Sequence, residues 1–129
     1  MHLVWATWDR IPWLVPGARE KIYACIEAHA RKLDAHVLAI GGVEDHVHEM
    51  ARDPARISVA ELVRHLKGGS SHYATVDLML ADPFRWQGTY GAFSLSRRAL
   101  DRVGAYIAAQ EDHHRHGTLL PPLESTAAE

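Results

Sequence analysis

Apolar residues along the chain follow two spacings, one typical of strands and one typical of helices. Four short segments with alternating or continuous apolar residues predict strands, at residues 3–8, 36–40, 46–52 and 90–95. Three longer segments with apolar residues three or four positions apart predict helices, over residues 17–33, 58–82 and 96–116. The order strand, helix, strand, strand, helix, strand, helix predicts an α+β fold in which helices pack on an antiparallel sheet.

Turn and capping residues refine these boundaries. The Gly- and Asp-containing turn before residue 46 predicts a hairpin between the second and third strands. Ser58, followed by Glu61 three residues later, predicts the start of the second helix through a capping box. Gly68 and Gly69 predict an interruption of that helix, with a second helical stretch after them. Ser96 is the predicted cap of the last helix.

Length and composition predict a single globular domain. The chain has 129 residues, of which 47% are hydrophobic and 23% charged, both ordinary for a soluble protein. We expect one domain over residues 1–116 and a mobile tail over residues 117–129, where Pro, Ser and Ala are frequent. Because the sequence contains neither an apolar run of about 18 residues nor a signal peptide, we expect a cytoplasmic protein. The only cysteine, Cys25, excludes an internal disulfide.

Charge is distributed unevenly along the chain. Fourteen basic and sixteen acidic residues give a net charge of −2, which does not indicate a strongly basic nucleic-acid-binding protein. Residues 52–102, however, contain eight basic and five acidic residues, so a local basic face can form there. The alternative is an ordinary solvated surface. The candidate DNA contacts are Arg52, Arg56, Arg64, Lys67, Arg85, Arg97 and Arg98.

Two of the ten histidines lie at the spacing of a metal site. His46 and His48 are two positions apart on a predicted strand, so both side chains point to the same face, while Val47 points to the other. Two imidazoles in this arrangement can bind one divalent cation. The alternative is a pair of half-exposed histidines without a ligand.

The last predicted helix carries a second pair of candidate residues. Tyr106 and Gln110 are four positions apart and therefore share a helix face. The Gln110 carbonyl can be the third ligand of a hard cation such as Mg²⁺ or Mn²⁺. Such a cation can polarise a phosphodiester, and Tyr106 can then attack phosphorus and become covalently attached. Alternatively, Tyr106 is a residue at the edge of the core and Gln110 an ordinary helix former.

In order and spacing, these motifs resemble one family. The chain is similar to the small single-tyrosine HUH transposases of bacterial and archaeal insertion sequences, which include the REP-associated tyrosine transposases. Each matching segment is weak alone, but together they span most of the chain, at residues 2–7, 42–48, 57–63, 66–71, 86, 90–96 and 106–114.

The resemblance implies both a fold and a reaction. The fold would be a ferredoxin- or RRM-like antiparallel sheet with packed helices. His46, His48 and Gln110 would bind Mg²⁺ or Mn²⁺, and Tyr106 would be the nucleophile. The enzyme would cut and rejoin single-stranded DNA at hairpin-marked element ends through a 5′-phosphotyrosine intermediate. The family members that belong to insertion sequences are dimers, so the resemblance implies a homodimer with active sites shared between chains.

Two other functions agree with the same residues. One is a domesticated or inactive module that binds hairpin DNA without cutting it. The other is a small metal-dependent hydrolase that uses His46, His48 and either His113 or His114, and prefers Zn²⁺. Formation of a protein–DNA adduct separates the transposase from both alternatives.

Overall fold

The chain folds into one antiparallel sheet with helices on both faces. The computed structural model describes residues 1–54 and 56–110, with the side chain of Arg97 excepted. The strands are β1 (His2–Ala6), β2 (His36–Val43), β3 (His46–Arg52) and β4 (Gly91–Phe93). The α-helices are α1 (Ala18–Lys32), α2 (Val59–Val76) and α3 (Arg97–Ala108), and a single 3-10 turn covers Trp8–Arg10. The predicted order of elements and the predicted α+β fold are confirmed.

The sheet has the strand order β2-β3-β1-β4, and all of its pairings are antiparallel. The predicted β2–β3 hairpin is present, with a register shift between Val37 and Ala39. In the central pair, Val4 of β1 lies opposite His48 of β3, and Ala6 lies opposite His46. Because opposed residues point to the same face of a sheet, the two histidines share a face with the even-numbered residues of β1.

The two faces of the sheet bury different clusters. On one face, Leu3, Trp5 and Val47 pack in the main core with apolar residues of α1 and α2. On the other face, Met50 packs against Val103 and Ile107 of α3. The two histidines lie on the α3 face. Within the described residues, no helix has the length and apolar character needed to cross a membrane.

The α2 helix differs from the sequence-based prediction at its glycines. It runs without interruption through Gly68 and Gly69 to Val76. A Cβ atom on Gly69 would lie 2.3 Å from Nε2 of His29 on α1, so any other residue there would displace the His29 side chain where the two helices cross. The predicted break was therefore wrong, because the glycine serves helix packing rather than helix termination.

Helix caps and the last strand follow the prediction in part. The Ser58 hydroxyl accepts a hydrogen bond from the Glu61 backbone N–H at 3.1 Å, as the capping box predicts. Ser96 occupies the N-cap position of α3, but its side chain makes no capping hydrogen bond. The fourth strand is shorter than predicted, three residues instead of six. The tail and the predicted end of the last helix lie outside the described residues.

Glu49 is an acidic residue buried in the middle of the sheet. It follows His48 on β3, and its side chain points to the α1–α2 side of the sheet, away from the face that carries the two histidines. The side chain is fully buried, and neither carboxylate oxygen has a hydrogen-bond partner within the described residues. Burial, with smaller contributions from Asp53 and Glu27, raises the pKa of Glu49 from 4.5 to about 8. The carboxyl group is therefore neutral in the folded protein at pH 7.

We expect this carboxyl group to make the stability of the protein depend on pH. Because the folded-state pKa is raised, the stabilisation that comes from binding this proton is fully present below pH 4.5 and is lost as the pH rises through about 8. Between these values, Glu49 should lower the free energy of unfolding by about 1.4 kcal/mol per pH unit. The neutral Glu49→Gln variant should lack this slope in urea denaturation at pH 5 to 8. Glu20→Gln, at an exposed position of α1, is the control; an unchanged slope in Glu49→Gln would contradict the assignment.

Candidate functional site

His46 and His48 lie side by side on β3, on the face covered by α3. Their ring centroids are 5.1 Å apart. Both side chains are buried, with 3% and 0% of their surface exposed. The predicted strand spacing therefore brings the two imidazoles together. The alternative was wrong about their exposure, because both rings are buried on the face that α3 covers; binding of a ligand stays a prediction.

Each of the two histidines has a partner at Nδ1. Asp45 Oδ1 lies 2.7 Å from His46 Nδ1, and since a carboxylate only accepts, this nitrogen carries the proton. The unprotonated nitrogen of His46 is then Nε2, the atom that can bind a cation. His48 Nδ1 lies 2.9 Å from Nε2 of His2, a fully buried residue of β1. Outer partners of this kind commonly orient ligand histidines.

Asp45 is itself held by the end of β1. The backbone N–H of Thr7 donates to the Asp45 carbonyl at 2.9 Å, and the Thr7 hydroxyl lies between the carbonyls of Asp45 and Ile11. Arg10 Nη1 lies 3.8 Å from Asp45 Oδ1 and 3.4 Å from His46 Nδ1. The carboxylate thus contacts an imidazole and a guanidinium, and the Arg10 cation lies at the rim of the site.

The α3 helix lies directly on the sheet. A Cβ atom on Gly41 of β2 would be 2.1 Å from the carbonyl oxygen of Ile107, and one on Gly104 would be 3.1 Å from the Met50 side chain. Glycines on both surfaces therefore allow the helix backbone to approach β2 and β3 closely. This contact fixes the position of α3 over the sheet of its own chain.

Tyr106 is brought to the two histidines by this packing. Its ring centroid lies 6.2 Å from that of His48, with the planes near perpendicular. Tyr106 is 5% exposed and Gln110, one turn further along the helix, is 1% exposed. In the single chain described, α3 lies on the sheet of the same chain. The homodimer and the sharing of active sites between its chains stay predictions.

The side chains present fit a hard divalent cation. Two imidazole nitrogens and one amide oxygen make a partial ligand set, which leaves positions for water and phosphate. Among the described residues, no group of three or more His, Cys, Asp or Glu side chains forms a metal site. The resemblance names the Gln110 amide as the third ligand, and this assignment stays a prediction. His113 and His114, which the hydrolase alternative requires, lie outside the described residues.

Three of the seven candidate DNA contacts come together in space. Arg64, Lys67 and Arg85 line an open cavity of about 500 Å³ between α2 and residues 84–90, and none of the described lining residues is acidic. Arg56 forms an ion pair with Asp34, on the surface. Arg52 at the end of β3 and Arg98 on α3 are not among the described residues that line this cavity, and the side chain of Arg97 is not described.

Lys67 connects α2 to residues 87–89 on the other side of this cavity. Its ammonium group donates to the carbonyls of Gln87 and Thr89, and burial lowers its pKa. The neighbouring Trp86 is buried, and its indole N–H donates to the Ser70 hydroxyl at 2.9 Å. Trp86 is therefore a packing residue, and the exposed cations of the cavity are the two arginines.

His2, Asp45 and Arg10 are parts of the site that the sequence patterns did not indicate. The spacing of apolar residues predicted the strands β1 and β3 but not their pairing. Knowledge of this pairing would have been needed to find the three residues. Once β1 is antiparallel to β3, its first residue must lie near His48 and its end near Asp45. His2, the first residue of β1, is then within hydrogen-bonding distance of His48.

Comparisons with known proteins concern the family and the fold of the chain. The family model of IS200-like transposases matches residues 1–110. No protein of curated function gives a significant match. Two solved structures share the fold at a TM-score of 0.66. One is a protein from Deinococcus radiodurans R1 that carries the provisional name transposase; it is 21% identical, over 84% of this chain and 88% of that one.

The other solved structure is a REP-associated tyrosine transposase bound to a REP hairpin. It is 14% identical, over 92% of this chain and 68% of that one. At such identities the two structures support the fold alone, whereas the family match covers nearly all of the described residues. From the match over residues 1–110, the chain belongs to the IS200-like transposase family.

Proposed function

We propose that this transposase cuts and rejoins single-stranded DNA with Tyr106 as the nucleophile. The observation that carries the proposal is the contact between the Tyr106 and His48 rings, 6.2 Å apart in a buried site that also contains His46. A phenol beside two imidazoles provides a nucleophile next to a cation site. The hairpin in the solved structure of the REP-associated relative supports hairpin-forming DNA as the substrate.

In the cutting step, the Tyr106 oxygen attacks phosphorus and the bond between phosphorus and the 3′ oxygen breaks. The phenolic proton passes to solvent, and the departing 3′ oxygen takes up a proton to become a hydroxyl. The products are a 5′-phosphotyrosine and a free 3′-OH. In the rejoining step, a 3′-OH attacks the adduct and Tyr106 leaves. The number of phosphoester bonds is conserved, so no ATP is needed.

His46, His48 and Gln110 would hold Mg²⁺ or Mn²⁺ beside the scissile phosphate. The cation would polarise the phosphodiester and stabilise the charge that develops on its oxygens. Asp45 keeps the His46 proton on Nδ1, so that Nε2 is directed to the ligand position. The buried surroundings limit water in the site, which protects the phosphotyrosine from hydrolysis.

The experiment that tests the function is a denaturing gel. Purified protein is mixed with labelled single-stranded DNA from the flanks of its own gene, with and without Mg²⁺. A band of labelled DNA attached to protein, formed only with the metal, is the expected result. Hairpin binding without an adduct would favour the inactive module instead. Turnover of a small substrate with Zn²⁺ would favour the hydrolase.

We further propose that the cavity between α2 and residues 84–90 binds the DNA backbone. The exposed guanidinium groups of Arg64 and Arg85 line it, and the absence of acidic side chains among its described lining residues favours phosphate. The cavity is on the α2 side of the sheet and Tyr106 is on the α3 side. DNA bound at both places would therefore have to pass around the sheet.

We expect the double substitution Arg64→Gln/Arg85→Gln to weaken DNA binding and its salt dependence. Each lost phosphate contact should reduce the slope of log K against log salt by roughly one unit. Fluorescence anisotropy at several salt concentrations measures both quantities. Arg56→Gln is the matched control, because Arg56 pairs with Asp34 away from the cavity. Equal slopes for all three proteins would place the DNA elsewhere.

A further inference from the structure

His2 is buried in the site although the proposed reaction assigns it no role. It is the first residue of β1 and is fully buried. The β1–β3 register pairs His2 with Met50 and Val4 with His48, so His2 is the diagonal neighbour of His48 on the same face. An apolar residue would fill this position at lower cost, since a buried imidazole must find hydrogen-bond partners.

Two rings hold the His2 side chain in place. It stacks on His48 with ring centroids 5.2 Å apart and planes at 23°. On its other side is Phe93 of β4, at a centroid distance of 5.6 Å, and the β1–β4 register pairs these two residues. The imidazole is thus fixed between a strand neighbour and a candidate ligand.

The hydrogen bond between the two histidines links the protonation of His48 Nδ1 to that of His2 Nε2. His2 Nε2 and His48 Nδ1 are 2.9 Å apart, and one proton lies between them. If it belongs to His48, the unprotonated nitrogen of His48 is Nε2, which can then bind a cation. If it belongs to His2, the His48 proton is on Nε2 and that atom cannot be a ligand.

We propose that His2 is a positioning residue that accepts the Nδ1 proton of His48 and thereby keeps His48 Nε2 as a metal ligand. His2 does for His48 what Asp45 does for His46, with a neutral imidazole in place of a carboxylate. The inference rests on the proposed function, because it takes His48 to be a ligand. It assigns a role to β1 that the reaction chemistry alone does not require.

The first test uses the full-length chain without metal. Long-range proton–nitrogen NMR of ¹⁵N-histidine-labelled protein identifies the tautomer of each ring, with His48→Gln to assign the His48 signals. We expect His48 to be protonated at Nδ1 in the wild type and to lose this preference in His2→Leu. A wild-type His48 protonated at Nε2 would overturn the proposal.

The second test measures binding of Mn²⁺ alone by calorimetry. His2→Leu should bind about 10- to 100-fold more weakly than wild type, as for other outer partners of ligand histidines. In His2→Gln, the amide oxygen occupies the position of Nε2 and can accept the proton, so the affinity should return to within about threefold of wild type. His36→Leu, at an exposed histidine on β2, is the control. Unchanged affinity in His2→Leu would contradict the proposal.

A further variant separates positioning from folding. If His2→Leu does not fold, His2→Asn serves instead, because its shorter amide does not reach the Nε2 position. We expect Asn to bind Mn²⁺ about tenfold more weakly than Gln; equal affinities would overturn the proposal. If the wild type binds no Mn²⁺, the proposed metal site fails, while the NMR measurement still decides which nitrogen His2 controls.

Discussion

Tyr106→Phe should abolish formation of the DNA–protein adduct while hairpin binding stays nearly unchanged. The substitution removes the attacking oxygen, and no other group of the proposed reaction can replace it, so cleavage should fall by at least about 10³-fold. Binding should persist because the ring remains, packed against His48 and buried between α3 and the sheet. A denaturing gel measures cleavage and anisotropy measures binding on the same DNA.

The control for this variant is Tyr73→Phe, which removes a phenolic oxygen from a half-buried position on α2. It should cut DNA as the wild type does. Cleavage by Tyr106→Phe within a few-fold of wild type would show that another group attacks phosphorus. Loss of both binding and cleavage, with a lowered melting temperature, would show instead that the hydroxyl is needed for the fold.

The local features of the fold could be predicted because each depends on a short stretch of sequence. Strand spacing placed His46 and His48 on one face, and the helix period placed Tyr106 and Gln110 together. Ser58 predicted a helix start because its capping hydrogen bond closes within one turn. Where a feature depends on a distant partner, prediction failed. Gly69 indicated a helix end, although its role is to let His29 of α1 approach.

The site itself depends on such distant partners. Residues 2–7 contribute to the family resemblance, but no local spacing gives His2 a role; the pairing of β1 with β3 brings it to the site. The charge count predicted a basic face from residues 52–102, but of the six candidates whose side chains are described, three line one cavity. Glu49, which sequence patterning places in a strand, is buried on the face opposite the site. The spacing of residues thus predicts which side chains share a face of a strand or helix, whereas tertiary contacts determine which of these faces pack together.

Substitution of His46 or His48 by Ala should remove metal binding and cleavage together. Each variant loses a ligand itself, so its Mn²⁺ affinity should fall by more than the roughly 10- to 100-fold typical of an outer partner. Gln110→Ala should have a smaller effect, because water can replace a neutral amide oxygen. Calorimetry with Mn²⁺ and the adduct gel give the two measurements. His65→Ala, at an exposed histidine of α2, is the control.

The same variants show which chain supplies the tyrosine. Co-expression of Tyr106→Phe with His46→Ala/His48→Ala gives mixed dimers if the chain dimerises. A shared site would be intact in one half of each mixed dimer, whereas a site made by one chain would be defective in both. Because Gly41 lets α3 pack closely on its own sheet, we expect verified mixed dimers to stay inactive. Restored cleavage would instead show that α3 packs on the sheet of the partner chain. In either case Gly41→Val should impair the packing of α3 on the sheet that it covers.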